Sequence, residues 1–233
     1  SKIHTDFFQV VVYTRINVKL KSGQETEINA PGPKVTQDQF QALLTQIKNT
    51  TNKDTVIVAG SVPNSIPSDA YAQIAEITKN TGAKLVVDAE KDLVETVLPY
   101  QPLFIKPNKD ELEVMFNTTV SSDQDVVKYG KEILKKGAQS VIISLGGDGA
   151  VYVDEQQSIK AVNPQGKVIN TVGSGDSTVA GMVAGLESGL SIQDAFKQAV
   201  ASGTATAFEE DLATRDAIEK IKSQVTVSVL DGE

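Results

Sequence analysis

Apolar residues along this chain follow two periods, and the change from one to the other marks a change of architecture. From Arg15 to Lys21 polar and apolar positions alternate strictly, so Ile16, Val18 and Leu20 share one face of an extended strand. Phe7-Phe-Gln-Val-Val-Val-Tyr13, just before it, is rich in aromatic and branched residues and is expected to be extended as well. Ser22-Gly23 supplies a tight turn, and 24–29 returns as a second strand. A ribbon with one apolar face must cover something, either its own domain or a partner. After Pro31-Gly-Pro33 the spacing becomes helical: Val35, Phe40, Leu43, Leu44 and Ile47 fall on one stripe, with Thr36 placed to cap it.

Beyond that point short apolar runs alternate with helical patterns. Strands are expected at 55–59, 84–88, 103–106 and 140–144, separated by helices near 69–80, 109–116 and 123–136. This alternation predicts an α/β fold with a mainly parallel sheet, right-handed crossovers and helices on both faces. Segments 150–153 and 158–162 read as a hairpin, and helices at about 175–189, 191–208 and 214–224 finish the chain. No internal repeat or low-complexity linker interrupts it. The boundary therefore falls near Pro31 to Pro33, with a β lid over 1–33 and an α/β body over 34–233.

Composition narrows the chemistry. The 233 residues carry a net charge of −8, which provides no basic field for nucleic acid or an anionic membrane. Cysteine is absent, which excludes disulfides, thiolate zinc sites and cysteine nucleophiles. His4, near a terminus, is the one histidine, so histidine-centred triads are excluded too. Any acid–base catalyst must then be a carboxylate, a lysine or a tyrosine. No apolar stretch approaches the ~20 residues that span a bilayer, and no signal peptide is visible, so a cytoplasmic protein is expected. The chain opens on Ser1 rather than methionine, already strand-like, and its beginning is expected to be missing.

The most informative stretch is Asn170-Thr-Val-Gly-Ser-Gly-Asp176, followed by the small, apolar run Ser177-Thr-Val-Ala-Gly-Met-Val-Ala-Gly185. A glycine-rich turn opening a helix points free amides outward and attracts anions. A carboxylate there opposes that field unless Asp176 accepts a proton while the amides of Gly173, Ser174 and Gly175 hold a transferring phosphoryl group. Stabilisation by the helix dipole alone is the plainer explanation for a single aspartate. The companion motifs shift the balance, because all sit where parallel strands end. Gly60-Ser-Val-Pro63, Lys106-Pro-Asn-Lys-Asp-Glu111 and Ser144-Leu-Gly-Gly-Asp-Gly149 each close a predicted strand.

Each companion has two explanations. Ser144, Leu145, Gly146, Gly147, Asp148 and Gly149 make either a phosphate-approaching turn or a simple β-turn, and no Walker sequence is present. Asn108 and Glu111 suit outer-sphere support of hydrated Mg²⁺, or a helix capping box. Lys106 is a phosphate contact or a solvated strand-end lysine. Arg15 and Asn17 are either phosphate-binding or part of a solvated strand face, and Lys160 and Lys167 read as surface charges. Ala201-Ser-Gly-Thr-Ala-Thr-Ala207 makes a helix face so small that it serves tight packing or a slot for a purine ring, with the slot favoured.

Together these residues resemble the ribokinase-like sugar kinases of the phosphofructokinase B branch. Asn170 to Gly181 is similar to that family's second signature, Asn108-Lys-Asp-Glu111 to its Asn-x-x-Glu motif, and Ser144 to Gly149 to its nucleotide loop. Thr14-Arg-Ile-Asn-Val-Lys-Leu-Lys21 and Thr26-Glu-Ile-Asn-Ala-Pro-Gly-Pro33 resemble members that act on fructose 1-phosphate. The resemblance spans the chain and implies a three-layer α/β/α body with a small β-strand lid. It implies ATP-dependent phosphorylation of fructose 1-phosphate at its 6-hydroxyl with Mg²⁺, the alternative being another phosphosugar kinase that acts on tagatose 6-phosphate or fructose 6-phosphate. By the matched motifs Asp176 is the base and Gly173, Ser174 and Gly175 the anion hole. Lys106, Asn108, Ser144 to Gly149, Ser202, Gly203 and Thr204 would line the ATP site, and Asn108 and Glu111 would organise the metal. Arg15, Asn17 and Ser61 would hold the phosphosugar, under a lid that pairs two copies into a homodimer. Ser174 stands where the family usually has alanine. The family's first strand, early sugar-binding aspartate and Gly-Gly motif fall before Ser1, so these residues taken alone are expected to expose a sheet edge and to be poorly stable or inactive.

Overall fold

A computed structural model describes residues 3–10, 15–22, 24–30 and 32–230. β1 (Asn17–Ser22) and β2 (Gln24–Asn29) pair antiparallel as a ribbon of their own, with Val18 opposite Ile28. Ile16, Val18 and Ile28 are exposed, so the ribbon's apolar side faces outward.

The body begins at Thr36, which exchanges capping hydrogen bonds with Gln39 at the start of α1 (Gln37–Ile47). Strands and helices then alternate: β3 (Thr55–Ala59), α2 (Ala70–Thr81), β4 (Lys84–Asp88), α3 (Lys91–Val97) and β5 (Phe104–Ile105). Next come α4 (Lys109–Phe116), α5 (Asp123–Lys135), β6 (Ser140–Ser144), β7 (Ala150–Asp154) and β8 (Ser158–Val162). The chain closes with α6 (Ser174–Glu187), α7 (Ile192–Ala207), α8 (Arg215–Lys222) and β9 (Thr226–Val229). β3 to β9 lie side by side in sequence order in one sheet. β3 to β6 are parallel, and an antiparallel meander of β7, β8 and β9 extends them.

Both sheet faces are covered. Leu85, Val87, Ile105, Val141 and Ile143 pack toward α1 to α5, while Val86, Phe104, Ile142 and Tyr152 pack toward α6 and α7. Consecutive residues of one strand thus serve opposite layers, which is why the strands read as unbroken apolar runs. Val86, Ile142 and Ile143 are wholly buried, each side chain contributing roughly 1.5–3 kcal/mol. β3 forms one edge of the sheet, with Ile57 45% exposed.

Several sequence expectations need correction. Residues 7–10 form no strand: they pair with no strand among the described residues, and the Gln9 carbonyl accepts from the Gln39 side chain of α1; residues 11–14 lie outside the described residues. The strand expected at 103–106 shrinks to Phe104–Ile105, bracketed by Pro102 and Pro107, which lack the donor a ladder needs. α3 and β9 were not expected: α3 is only seven residues long, and β9 is a four-residue edge strand. Lys160 is no free surface charge, since its ammonium holds both carboxylate oxygens of Asp123 at 2.8 Å and ties β8 to the start of α5.

The small residues of α6 and α7 let the two helices approach closely. A Cβ added at Gly181 would stand 2.6 Å from Ser202 Oγ, and one at Gly185 would stand 2.8 Å from the Ala195 Cα. The stripe from Ala201 to Ala207 divides: Gly203, Thr204 and Ala207 line a cleft, while Ser202 packs against α6, where Gly181 and Gly185 make room for α7. Gly185→Ala tests this packing. Exposed helices gain ~1 kcal/mol from such a change, but here the new methyl must displace the α7 backbone, at ~1–3 kcal/mol. A net loss of stability in chemical denaturation is expected; a gain contradicts the packing account.

Candidate active site

Gly173 precedes α6 at φ 79°, a left-handed conformation that side chains resist, and no side chain caps the helix. The Ser174 amide donates to the Thr171 carbonyl at 3.2 Å and the Ser177 amide to the Gly173 carbonyl at 2.8 Å. Between them the amides of Gly175 and Asp176 have no protein acceptor among the described residues. They carry the positive end of α6. The Ser174 hydroxyl, on the same turn, is the one buried side-chain polar atom without a partner among the described residues.

Ser174 and Gly175 form part of the wall of a cleft of about 620 Å³. The turn after β6 forms another part, through Ser144, Leu145, Gly146, Gly147 and Gly149. A Cβ added at Gly146 or Gly147 would meet nothing within 4 Å, so this backbone is open to approach. Gly149 does a different job: at φ 94° it passes so close to the Ala161 carbonyl that any side chain would overlap it. Asp148 belongs to the same turn but does not face the cleft.

α7 contributes Gly203 and Thr204 to the opposite wall, beside Val200, Ala207 and Phe208. Ser202 does not join them: it is buried toward α6, and its hydroxyl donates to the Gln198 carbonyl at 2.8 Å. Asn163, which carried no signal in the sequence, fastens the two walls together. Its amide nitrogen donates to the Gly146 carbonyl at 3.0 Å, and its oxygen accepts from the Thr204 hydroxyl at 2.8 Å.

Asn108 and Glu111 form a capping box at the start of α4, each side chain accepting from the other's amide at 2.8 and 2.7 Å. Asn108 also lines the cleft, whereas Glu111 does not. The box uses the one side-chain oxygen of Asn108 and one carboxylate oxygen of Glu111, so any Mg²⁺ here would be held by few protein oxygens and reached through its waters. No group of three or more acidic or histidine ligands exists among the described residues.

A second group lies at the ends of β3 and β4. Arg15, just ahead of the ribbon strand that holds Asn17, donates to the Ser61 hydroxyl at 2.9 Å. The Gly60 amide donates to the Asp88 carbonyl at 2.9 Å, and the Tyr71 hydroxyl to the Gly60 carbonyl at 2.8 Å. Burial pushes the Tyr71 hydroxyl up to about 12, with the Asp88 charge adding to it. Asp88 faces Lys106, a cleft residue, across 3.2 Å. Burial raises its pKa above the usual carboxylate value; the Lys106 ammonium opposes this and the Asp176 charge reinforces it. Asp176 itself is exposed and is not part of the cleft wall, although the preceding residue, Gly175, is. Asp88 was missed as a site residue although it ends a predicted strand, because its partners lie 18 and 88 positions away by residue number.

The fold and motifs have known counterparts. A sequence profile described as pfkB family carbohydrate kinase matches residues 1–218. A 1-phosphofructokinase of Bacillus subtilis is 41% identical over 99% of this chain and 76% of its own length. A D-tagatose-1-phosphate kinase of Bacillus licheniformis is 35% identical over 99% of this chain and 76% of its own. A crystal structure from Staphylococcus aureus, assigned as a phosphofructokinase, is 81% identical with a TM-score of 0.85, covering 93% of this chain and 71% of that one. An amide cradle at an uncapped helix, a glycine turn beside it and this extent of shared sequence lead to one conclusion: the chain belongs to the pfkB family of carbohydrate kinases.

Proposed function

We propose that this kinase transfers the γ-phosphoryl group of ATP to the 6-hydroxyl of fructose 1-phosphate, giving fructose 1,6-bisphosphate and ADP, with Asp176 as the base. The observation that carries this reading is the start of α6, where two free amides and an exposed carboxylate share one turn beside the cleft. The sugar oxygen attacks the γ-phosphorus, the bond from that phosphorus to the bridging oxygen breaks, and ADP departs. The hydroxyl proton passes to the Asp176 carboxylate. Such a reaction asks the protein mainly to position groups and to meet developing charge. The Gly175 and Asp176 amides, fixed in advance by the helix, meet that charge without reorganising. Mg²⁺ bound to the phosphates would neutralise part of their charge, with Asn108 and Glu111 reaching it through its waters.

The nucleotide occupies the cleft between the Gly146–Gly147 turn and α7. The 1-phosphate of the sugar meets Arg15, whose planar fork suits a phosphate, with Ser61 and Asn17 beside it. The ribbon acts as a lid that keeps water from the reacting phosphoryl group. Two such lids, each exposing Ile16, Val18 and Ile28, cover one another in a homodimer. No helix among the described residues is long and apolar enough to cross a membrane, in keeping with a cytoplasmic enzyme.

A second reading, tagatose 1-phosphate as acceptor, is favoured by the D-tagatose-1-phosphate kinase relative. The two sugars differ at one stereocentre, so the phosphate grip serves both.

Two measurements on the full chain test these roles. Asp176→Asn keeps the shape of the turn and removes the base, so kcat is expected to fall ~10²–10⁴-fold while ATP still binds; an unchanged kcat refutes Asp176 as base. A panel of fructose 1-phosphate, fructose 6-phosphate, tagatose 1-phosphate and tagatose 6-phosphate is expected to give the highest kcat/KM with the first. A higher value for either tagatose phosphate assigns the enzyme to that sugar instead.

A further inference from the structure

The Asp88–Lys106 ion pair has no part in the steps above, yet it is expensive to keep. Its side chains are only 18% and 8% exposed, and removing such ions from water costs several kcal/mol each. Its place in the fold is specific. A Cβ added at Gly175 would stand 3.3 Å from the Lys106 ammonium and 3.8 Å from Asp88 Oδ2, so the pair lies directly against the turn with the free amides.

β4 grips Lys106 at both ends. The Lys106 amide donates to the Val87 carbonyl at 3.2 Å, and the next residue, Asp88, holds its ammonium. Asp88 is itself anchored, because its carbonyl accepts from the Gly60 amide of the neighbouring rim. Lysine has a flexible stem and three rotatable donors. Without a fixed counter-ion its head group would sample several positions around the turn; with one, it has a single place.

We infer that Asp88 is a positioning residue for phosphoryl transfer, holding the Lys106 ammonium against the Gly173–Gly175 turn where it meets the transferring group. This rests on the kinase reading and deepens it. Asp88 touches neither substrate in this scheme; it acts through Lys106.

A double-mutant cycle on the full chain tests it, using Asp88→Asn, Lys106→Gln and the pair together, with kcat, KM for both substrates, and thermal stability measured. Misplacing a catalytic contact by about 1 Å costs ~10²-fold, so each single change is expected to lower kcat by that order. The double variant is expected to be no slower than Lys106→Gln, and KM for the phosphosugar to stay within about threefold, a change worth under ~0.7 kcal/mol. Effects that multiply in the double variant overturn the inference, because Asp88 then acts independently of Lys106. Wild-type kcat in Asp88→Asn overturns it as well, leaving a purely structural pair. Recovery of Asp88→Asn by excess Mg²⁺ overturns it in favour of a direct cation contact. If Asp88→Asn does not fold, Lys106→Gln and the charge-free double variant still decide: equal kcat supports the inference, and a further loss refutes it. Absence of phosphotransfer, across the substrate panel, in a wild-type protein that also carries the family's first strand and early aspartate ahead of Ser1 removes the kinase reading and this inference with it.

Discussion

A helix that opens on a left-handed glycine and lacks a side-chain cap must find partners for its first amides outside itself. In this protein that constraint organises everything near the cleft. Gly173 sets the approach, the amides of Gly175 and Asp176 are left free, and Lys106 stands beside them. The helix behind them cannot drift, because Gly181 and Gly185 let α7 close against it at near-contact distances. Tight packing in one layer thus fixes the geometry of a polar site in another. The parallel strands supply the remaining groups, since β4, β5 and β6 all end on the same rim.

The electrostatics run against the protein's overall charge. A chain of net charge −8 has to accept a polyanionic donor and an anionic sugar. It does so locally, with backbone dipoles, one nearly buried ammonium and one exposed guanidinium, in place of a basic surface. The ammonium is balanced by Asp88, whose raised pKa reflects burial more than its neighbours. Such an arrangement keeps a charge ready in a half-dry cleft without attracting every anion in solution.

Much of this was legible in the sequence because the signals were local. The glycine turn before Asp176, the two glycines after Leu145 and the Asn108–Glu111 spacing all lie within a few residues of one another. Their roles still divided on inspection: Asn108 and Glu111 do cap a helix, and Ser202 serves packing rather than the cleft. What escaped were the features made by distant partners. Asp88 gains meaning only from Lys106 and Asp176, and Asn163 only from Gly146 and Thr204. Secondary structure failed in the same way. The aromatic and branched residues at 7–10 promised a strand, but the segment lies along α1, where the Gln9 carbonyl accepts from the Gln39 side chain.

The central claim is spatial: one carboxylate accepts the proton where two helix amides receive the phosphoryl group. A crystal structure of the full chain with a non-hydrolysable ATP analogue and fructose 1-phosphate measures it directly. The account predicts the sugar's O6 within ~3.2 Å of an Asp176 carboxylate oxygen, with γ-phosphate oxygens on the Gly175 and Asp176 amides. An O6 seated beside a different base, or a γ-phosphate away from the start of α6, contradicts it.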